Sequence, residues 1–397
     1  MNEMNRPLVF LVVCCTILLA SCRGNASQPP SPIPSPTAPP PSPFPQATLP
    51  ITATRPPSAS TSAFAVVDGS RPMTFPEDFG AHPAFRSEWW YYTGNLDTPQ
   101  GRHFGFELTI FRVAMRPPTT PPPPSAWKSQ QVYFAHFALS DVSAEAFHAF
   151  QRFSRPGPGL AGAQAQPYRV WLEDWGVTAQ PEGTYHLFAE QNDLRLDLLL
   201  EDQTGPVLHG QNGYSRKGDA PTNASYYYSL PRLRAQGTIH TPEGLFTVTG
   251  LAWMDHEFSS SVLGEKDIGW DWFALQFDDG YSLMLYQLRR ADGSLSPWNS
   301  GTLIAPDGTP HPFTAQDFTI EVLDTWLSPA TEAVYPAEWR VRVPFAGIDV
   351  RVSPWMNAQE LNVSPTIYWE GAVHAEGSHT GNGYVELTGY AGNQPQP

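Results

Sequence analysis

A chain of 397 residues with 38 acidic against 23 basic side chains carries a formal charge of −15, which argues against nucleic acid and against electrostatic docking on an anionic bilayer. Its three cysteines, Cys14, Cys15 and Cys22, all lie near the start, so the rest of the chain has no thiol for a disulfide, a thiolate metal site or a nucleophile. Such a protein is held by its core, and the remaining length is ample for one.

The first residues read as an export signal. Leu8 to Leu19 is an apolar run too short to serve as a membrane anchor, and it ends in Leu19-Ala20-Ser21-Cys22. Glu3 offsets Arg6, so Met4 is an alternative start. Small residues before a cysteine at this point resemble the lipobox of bacterial lipoproteins. That resemblance implies cleavage before Cys22, whose thiol then carries the lipid; an ordinary cleaved signal is the other reading. Pro29 to Pro57 is Pro, Ser, Thr and Ala with almost nothing to bury, an extended tether. At about 3.1 Å per residue its upper reach is on the order of 90 Å. A stalk accounts for it, and a PxxP ligand is the sharper alternative. The expected organisation is a signal at 1–21, a tether at 22–63, and β-domains at 64–255 and 256–397.

From Phe64 onward short period-two segments recur: Glu88–Leu96, His103–Arg112, Val132–Asp141, Tyr168–Trp175, Thr184–Glu190, Leu194–Leu200, Arg234–His240 and Leu245–Asp255. They continue through Gly269–Phe277, Tyr281–Arg289, Gly301–Ala305, Phe318–Asp324, Ala337–Val343, Ile348–Val352 and Gly383–Tyr390. Turn signals separate them, among them Thr98-Pro99-Gln100-Gly101, Pro242-Glu243-Gly244, Asp278-Asp279-Gly280, Asp292-Gly293 and Pro306-Asp307-Gly308. Alternation with β-branched and aromatic residues between Gly turns predicts antiparallel hairpins, and so many strands predict an all-β chain of two domains. Phe104–Leu108 and Phe273–Phe277 echo one another weakly, as a repeat or as two unrelated hairpins. Met356–Val363 is at most one short helix, and Pro117–Pro124 a loop at a barrel mouth.

Ionisable residues inside this apolar pattern mark the candidate site. Asp255, His256 and Glu257 share a strand, and Asp271 sits between Trp270 and Trp272 on the next; burying such groups is costly. They form either an acid–base site or a polar knot pinning two strands. In Glu88-Trp89-Trp90-Tyr91-Tyr92, alternation turns Glu88, Trp90 and Tyr92 one way and Trp89 and Tyr91 the other. The first set is the candidate ligand face, with core filling as the alternative for both. Tyr214 and Lys217 are candidates to orient a polar ligand head or belong to a solvated turn. His136 in YFAHFALSD is a ligand residue or a hydrogen-bonded core histidine. No G-x-S-x-G, H-E-x-x-H, phosphate loop or dinucleotide fingerprint occurs, and no metal or cofactor is expected. Asp255, His256 and Ser259–Ser261 make a poor hydrolase triad, because successive strand side chains point to opposite faces.

FPEDFGAHPAFRSEWWYYTGNLDTPQGRHFGFELTIFR (Phe75–Arg112), GYSRKG, SYYYSLPRL, MDHEF and GWDWFALQFDDGYSLMLYQLR together resemble the AttH-like and carotenoid 1,2-hydratase (hydroxyneurosporene synthase) family over nearly everything after Phe75. The resemblance implies two lipocalin-like barrels. For the hydratases it implies water added across a terminal double bond of an acyclic carotenoid without a redox cofactor. That chemistry needs a neutral carboxyl to protonate the alkene, aromatic faces to stabilise the cation and a base to deprotonate water. His256 matches the family's histidine and Tyr286 its tyrosine. Phe258 stands where the hydratases have Trp, and Gln287-Leu288-Arg289 follows Tyr286 where their Asp is expected. Asp271 or Glu257 is then the substitute acid, and the AttH-like branch is the closer match.

The expected catalytic set is therefore His256, Glu257, Asp255, Asp271 and Tyr286. Glu88, Trp90, Tyr92, His136, Tyr214, Lys217, Phe258, Trp270 and Trp272 are expected around an apolar isoprenoid or lipid. The competing reading is a non-catalytic, tethered lipid-binding lipoprotein; glycan binding by exposed tryptophans is a third.

Overall fold

The computed structural model describes residues 63–391, apart from 119–124, 126, 127, 262, 265, 364 and 365. The signal, Cys22 and the tether lie outside the described residues, as does most of the Pro117–Pro124 loop.

The protein is all-β, a nearly closed barrel followed by a half-barrel, in agreement with the two β-domains expected. The first sheet opens with a meander of β1 (Ser87–Asp97), β2 (His103–Ala114), β3 (Gln131–Asp141) and β4 (Ala146–Ser154). A second meander runs through β5 (Ala161–Ala165), β6 (Tyr168–Leu172), β7 (Trp175–Ala179), β8 (Tyr185–Gln191) and β9 (Leu194–Asp202). The long hairpin β12 (Ala224–Thr241) and β13 (Gly244–Ser261) joins them in the order β4-β3-β2-β1-β13-β12-β9-β8-β7-β6-β5, with the short β10 (Val207–Leu208) and β11 (Tyr214–Arg216) on β12. The β1–β2 turn is closed by Gly101 at φ +83°, a left-handed conformation that glycine adopts without strain.

The second sheet comprises β14 (Asp267–Phe277), β15 (Ser282–Arg290), β16 (Ser300–Ile304), β17 (Pro310–Thr314) and β18 (Thr319–Leu327), then β19 (Val334–Val343), β20 (Ile348–Pro354), β21 (Glu360–Val363), β22 (Thr366–Gly377) and β23 (Gly381–Leu387). Its order is β17-β16-β15-β14-β23-β22-β20-β19-β18, with β21 on β22. β13 stays paired to β1 up to Ser259 and to β12 up to Ser261, and the second sheet begins with β14. Residues 356–363 hold no helix; they bend into β21. Pro231 made the start of β12 hard to read as a strand. It sits in a register shift between Leu230 and Leu233, where a proline costs no ladder bond.

Each sheet buries one face in its own core, Trp90, Phe104, Leu108 and Leu198 in the first and Phe273, Trp339, Val350 and Trp369 in the second. The other faces bury against one another through a third cluster that includes Tyr91, Tyr227, Trp253, Trp272, Tyr286 and Tyr384. β1 is thus covered on both sides and is buried almost throughout, its polar Glu88, Thr93 and Asn95 included. Asn95 Nδ2 donates to Gly383 O (2.8 Å), and Gln276 Nε2 donates to Pro231 O (2.7 Å) and Ala252 O (2.9 Å) across the join. A Cβ on Gly105 lies 2.5 Å from that of Ala372, so glycine sets the closest approach. Gly105→Ala should push the sheets apart and cost about 1–3 kcal/mol, measurable as a lowered midpoint in thermal unfolding.

Candidate active site between the barrels

A cavity of about 290 Å³ lies between the two sheets. The first sheet lines it with Trp89 and Tyr91 (β1), Phe111 (β2), Phe134 and His136 (β3), Tyr227 (β12), Asp255 and Glu257 (β13), and Lys217, which follows β11. The second contributes Trp270 and Trp272 (β14), Tyr286 (β15), Tyr368 (β22) and Glu386 (β23). Pairing explains the selection: Asp255 lies opposite Tyr91 and Glu257 opposite Trp89, while His256 lies opposite Trp90 on the other face.

Asp255 is held by three donors, Trp253 Nε1 (2.6 Å), the Tyr227 hydroxyl (2.6 Å) and the Ser229 hydroxyl. Burial nevertheless pushes its carboxyl up to about 7, with the charge of Glu257 adding to the effect against the three donors. Glu386 accepts from Trp270 Nε1 at 3.1 Å. Burial raises it to about 7 as well; the Trp270 bond and Lys217 pull it down, and Asp255 and Glu257 push it up. Lys217 is ion-paired to Glu257 and lies 5.1 and 5.3 Å from the ring centres of Tyr227 and Tyr286. Trp272 Nε1 donates to the Tyr227 hydroxyl at 3.1 Å, and the Tyr286 hydroxyl donates to Arg216 O at 3.3 Å. His136 joins the Tyr368 hydroxyl and the Gln151 amide, both at 2.8 Å, and burial lowers it to about 3, so the ring is neutral.

Of the residues expected from sequence, Asp255, Glu257, Tyr286, His136, Lys217, Trp270 and Trp272 meet in this cavity. His256, Glu88, Trp90, Tyr92 and Phe258 do not: they point into or toward the end of the first barrel, away from it. Glu88 Oε1 accepts from His256 Nε2 (2.8 Å) and His82 Nδ1 (2.7 Å), and its Oε2 from Arg112 Nε (2.7 Å). His256 Nδ1 bonds the Tyr228 hydroxyl (2.8 Å), and Phe258 stacks on His82 at 3.6 Å. Tyr214 donates to Pro221 O (2.7 Å) near the surface. Asp271 turns away from its tryptophan neighbours to bond Arg289 Nε (2.9 Å) and the Tyr390 hydroxyl (3.0 Å).

His82, Glu88 and His256 offer three donor atoms within 4.8 Å of one another, a set of metal-ligating size. Each Glu88 oxygen already accepts from protonated nitrogens, one of them the Arg112 guanidinium, and the carboxylate is fully buried. Such a set has no open position for a cation, and it reads as a filled hydrogen-bond network.

Sequence reasoning missed Trp89, Tyr91, Phe111, Phe134, Tyr227, Tyr368 and Glu386. The signal for Glu386 was available, since GYVELTGY places a carboxylate in an alternating strand as MDHEF does.

A nearly closed barrel and a half-barrel joined over a cavity walled by tryptophans, tyrosines and carboxyls define an all-β protein of two barrel-like halves. The model of the AttH-like family matches residues 66–390, and the chain belongs to that family. A crystal structure of an AttH from Nitrosomonas europaea is similar at 37% identity and TM-score 0.73, covering 82% of this chain and all (100%) of that one. Kievitone hydratase from Nectria haematococca shares the fold at 13% identity and TM-score 0.60, covering 82% of this chain and 96% of its own. No curated protein matches.

Glu88→Gln leaves the Arg112 guanidinium buried without its counter-charge and should cost about 3–5 kcal/mol in urea unfolding. Burial raises the Glu88 carboxyl, but the bonds from His256 and His82 outweigh it and hold the group well below the ordinary 4.5. Its contribution to stability is therefore present above pH 4.5 and lost as pH falls below that value, and the loss should be missing in Glu88→Gln.

Proposed function

We propose that the cavity is the active site of a membrane-tethered enzyme that hydrates, or by the same groups hydrolyses, an apolar isoprenoid or lipid without a cofactor. The observation that carries this reading is the pair Asp255 and Glu386, two carboxyls raised to about 7 among tryptophans and drawn from opposite sheets. Among the described residues Glu386 has the single donor Trp270 and is the better acid; Asp255 has three donors that favour its ionised form and is the better base. In hydration, the alkene π pair takes the Glu386 proton to form a C–H bond. Water adds to the resulting cation to form C–O, and its surplus proton passes to Asp255. The faces of Trp89 and Trp272 are suited to stabilising the cation. The fold shared with a hydratase supports hydration over hydrolysis.

The test is incubation of the protein with an acyclic isoprenoid bearing a terminal double bond in water labelled with heavy oxygen, read by mass spectrometry. Label should enter the product, and Glu386→Gln or Asp255→Asn should slow turnover by roughly 10²–10⁴-fold. The rate should peak near pH 7, falling above as Glu386 loses its proton and below as Asp255 gains one. His256→Ala, on the far face of β13, should keep turnover wherever the variant folds.

A carrier is the second reading. It is favoured by the rings of Phe111, Phe134 and Phe153, which stack at 4.4 and 5.7 Å up to a half-exposed Phe153. Ligand retained unchanged by wild type and by both carboxyl variants would establish it. The tether rests on Cys22: Cys22→Ala should move the full chain from the detergent phase to the aqueous phase in detergent partitioning, and an unchanged partition would remove the lipid anchor.

A further inference from the structure

Beyond the cavity wall the two sheets close over another pair of carboxyls. Glu107 on β2 and Glu370 on β22 are both fully buried. None of their four oxygens has a hydrogen-bond partner among the described residues. The Thr109 hydroxyl lies beside Glu107, and those of Tyr91 and Tyr368 beside Glu370, without reaching hydrogen-bond geometry. Among the described residues no lysine or arginine is among the main groups acting on either. Lys217, the only Lys or Arg among the described residues lining the cavity, is taken by Glu257.

One uncompensated carboxylate in such a place costs several kcal/mol, and two repel one another as well. At neutral pH the pair therefore holds its protons. Burial raises Glu107 to about 8, with Glu386 adding to it; burial and then the charges of Glu107 and Glu386 raise Glu370 well above its ordinary value. The register gives the pair an exit. Glu370 lies directly opposite Glu386 across β22 and β23 on the same face, a spacing of about 5 Å between Cβ atoms. Glu107, Glu370 and Glu386 act on one another, and Glu386 lines the cavity, so it links the buried pair to the cavity wall.

We propose that Glu107 and Glu370 are a buried proton store that keeps Glu386 in its acid form while an apolar substrate shuts the cavity to water. The proposal rests on the acid role given to Glu386 above. As Glu386 gives its proton to substrate carbon in the shut cavity, its own carboxylate is cut off from water and becomes as costly as one on Glu370, so the O–H bond of Glu370 breaks and a new one forms on Glu386. Glu370 is left ionised beside the protonated Glu107. Asp255 releases the proton it took from water to solvent after product leaves. Solvent then refills the pair through Glu386, so that one proton enters for each that departs. Glu107 and Glu370 touch no substrate; they act through Glu386.

The experiment needs no substrate. Infrared spectra of the full chain at neutral pH should show the C=O band of protonated carboxyls, shifted in heavy water, and Glu107→Gln and Glu370→Gln should each remove part of it. Glu107→Gln should also lower the pH at which Glu370 titrates, because a neighbouring negative charge is gone. Other groups acting on Glu370 are Glu386 on its own sheet and the Tyr91 and Tyr368 phenols, none of which these two variants change. After dilution into heavy water, Glu386→Gln should slow the exchange of the band several-fold, while Tyr368→Phe leaves it unchanged. Absence of the band at neutral pH overturns the store. So does exchange that is indifferent to Glu386→Gln or is slowed instead by Tyr368→Phe. Loss of the isoprenoid reaction with these infrared results intact removes the catalytic role of Glu386 and leaves the store standing.

Discussion

Two sheets, each already buried on its inner face, bury their outer faces on one another, and the rest of the structure depends on that contact. It leaves most of β1 and the second half of β13, Ala252 to Ser259, almost without a solvent side, so the residues there must be accommodated by one of two interiors. Period two then sorts Asp255 and Glu257 from His256, and Trp89 and Tyr91 from Trp90 and Tyr92. Gly105 against Ala372 and Asn95 against Gly383 hold the sheets close enough that a small cavity is left where larger rings prop them apart.

The two interiors treat charge in opposite ways. At the end of the first barrel, Glu88 is saturated by two histidines and Arg112, and the network pins the segment before β1 onto the sheet. Between the sheets lie carboxyls from five positions (Glu107, Asp255, Glu257, Glu370 and Glu386), and among the described residues the one ammonium lining the cavity, that of Lys217, pairs with Glu257. The first arrangement fixes ionised groups in place. The second keeps protons on acids, which is the property that chemistry on an unactivated double bond requires.

Much of the fold was legible in the sequence. Alternation and Gly turns predicted an all-β chain of two domains, because antiparallel hairpins write both into local pattern. The start of β12 was obscured by Pro231 and the whole of β22 was overlooked, although TIYWEGAVHAEG is buried along most of its length. The site was half legible. MDHEF marked the right strand but not the right face, since parity tells which residues travel together and not which interior they enter. His256 drew attention as the titratable residue of ordinary catalysis, yet its partners, Glu88 and Tyr228, come from β1 and β12 and close a structural network. Glu386 and Glu370 are more than a hundred residues from Asp255, and only the docking of the second sheet brings them near it.

That docking has a consequence for the life of the chain. Asp255 and Glu257 sit on the outside of the first barrel, and Glu370 and Glu386 on the outside of the second sheet. Before the two halves meet, each set faces water and behaves as ordinary surface carboxylates, fully ionised and inert toward carbon. The unusual acidity belongs to neither half and is created when they join. In a newly made molecule the raised carboxyls therefore arise only when the two halves close on one another within a single polypeptide.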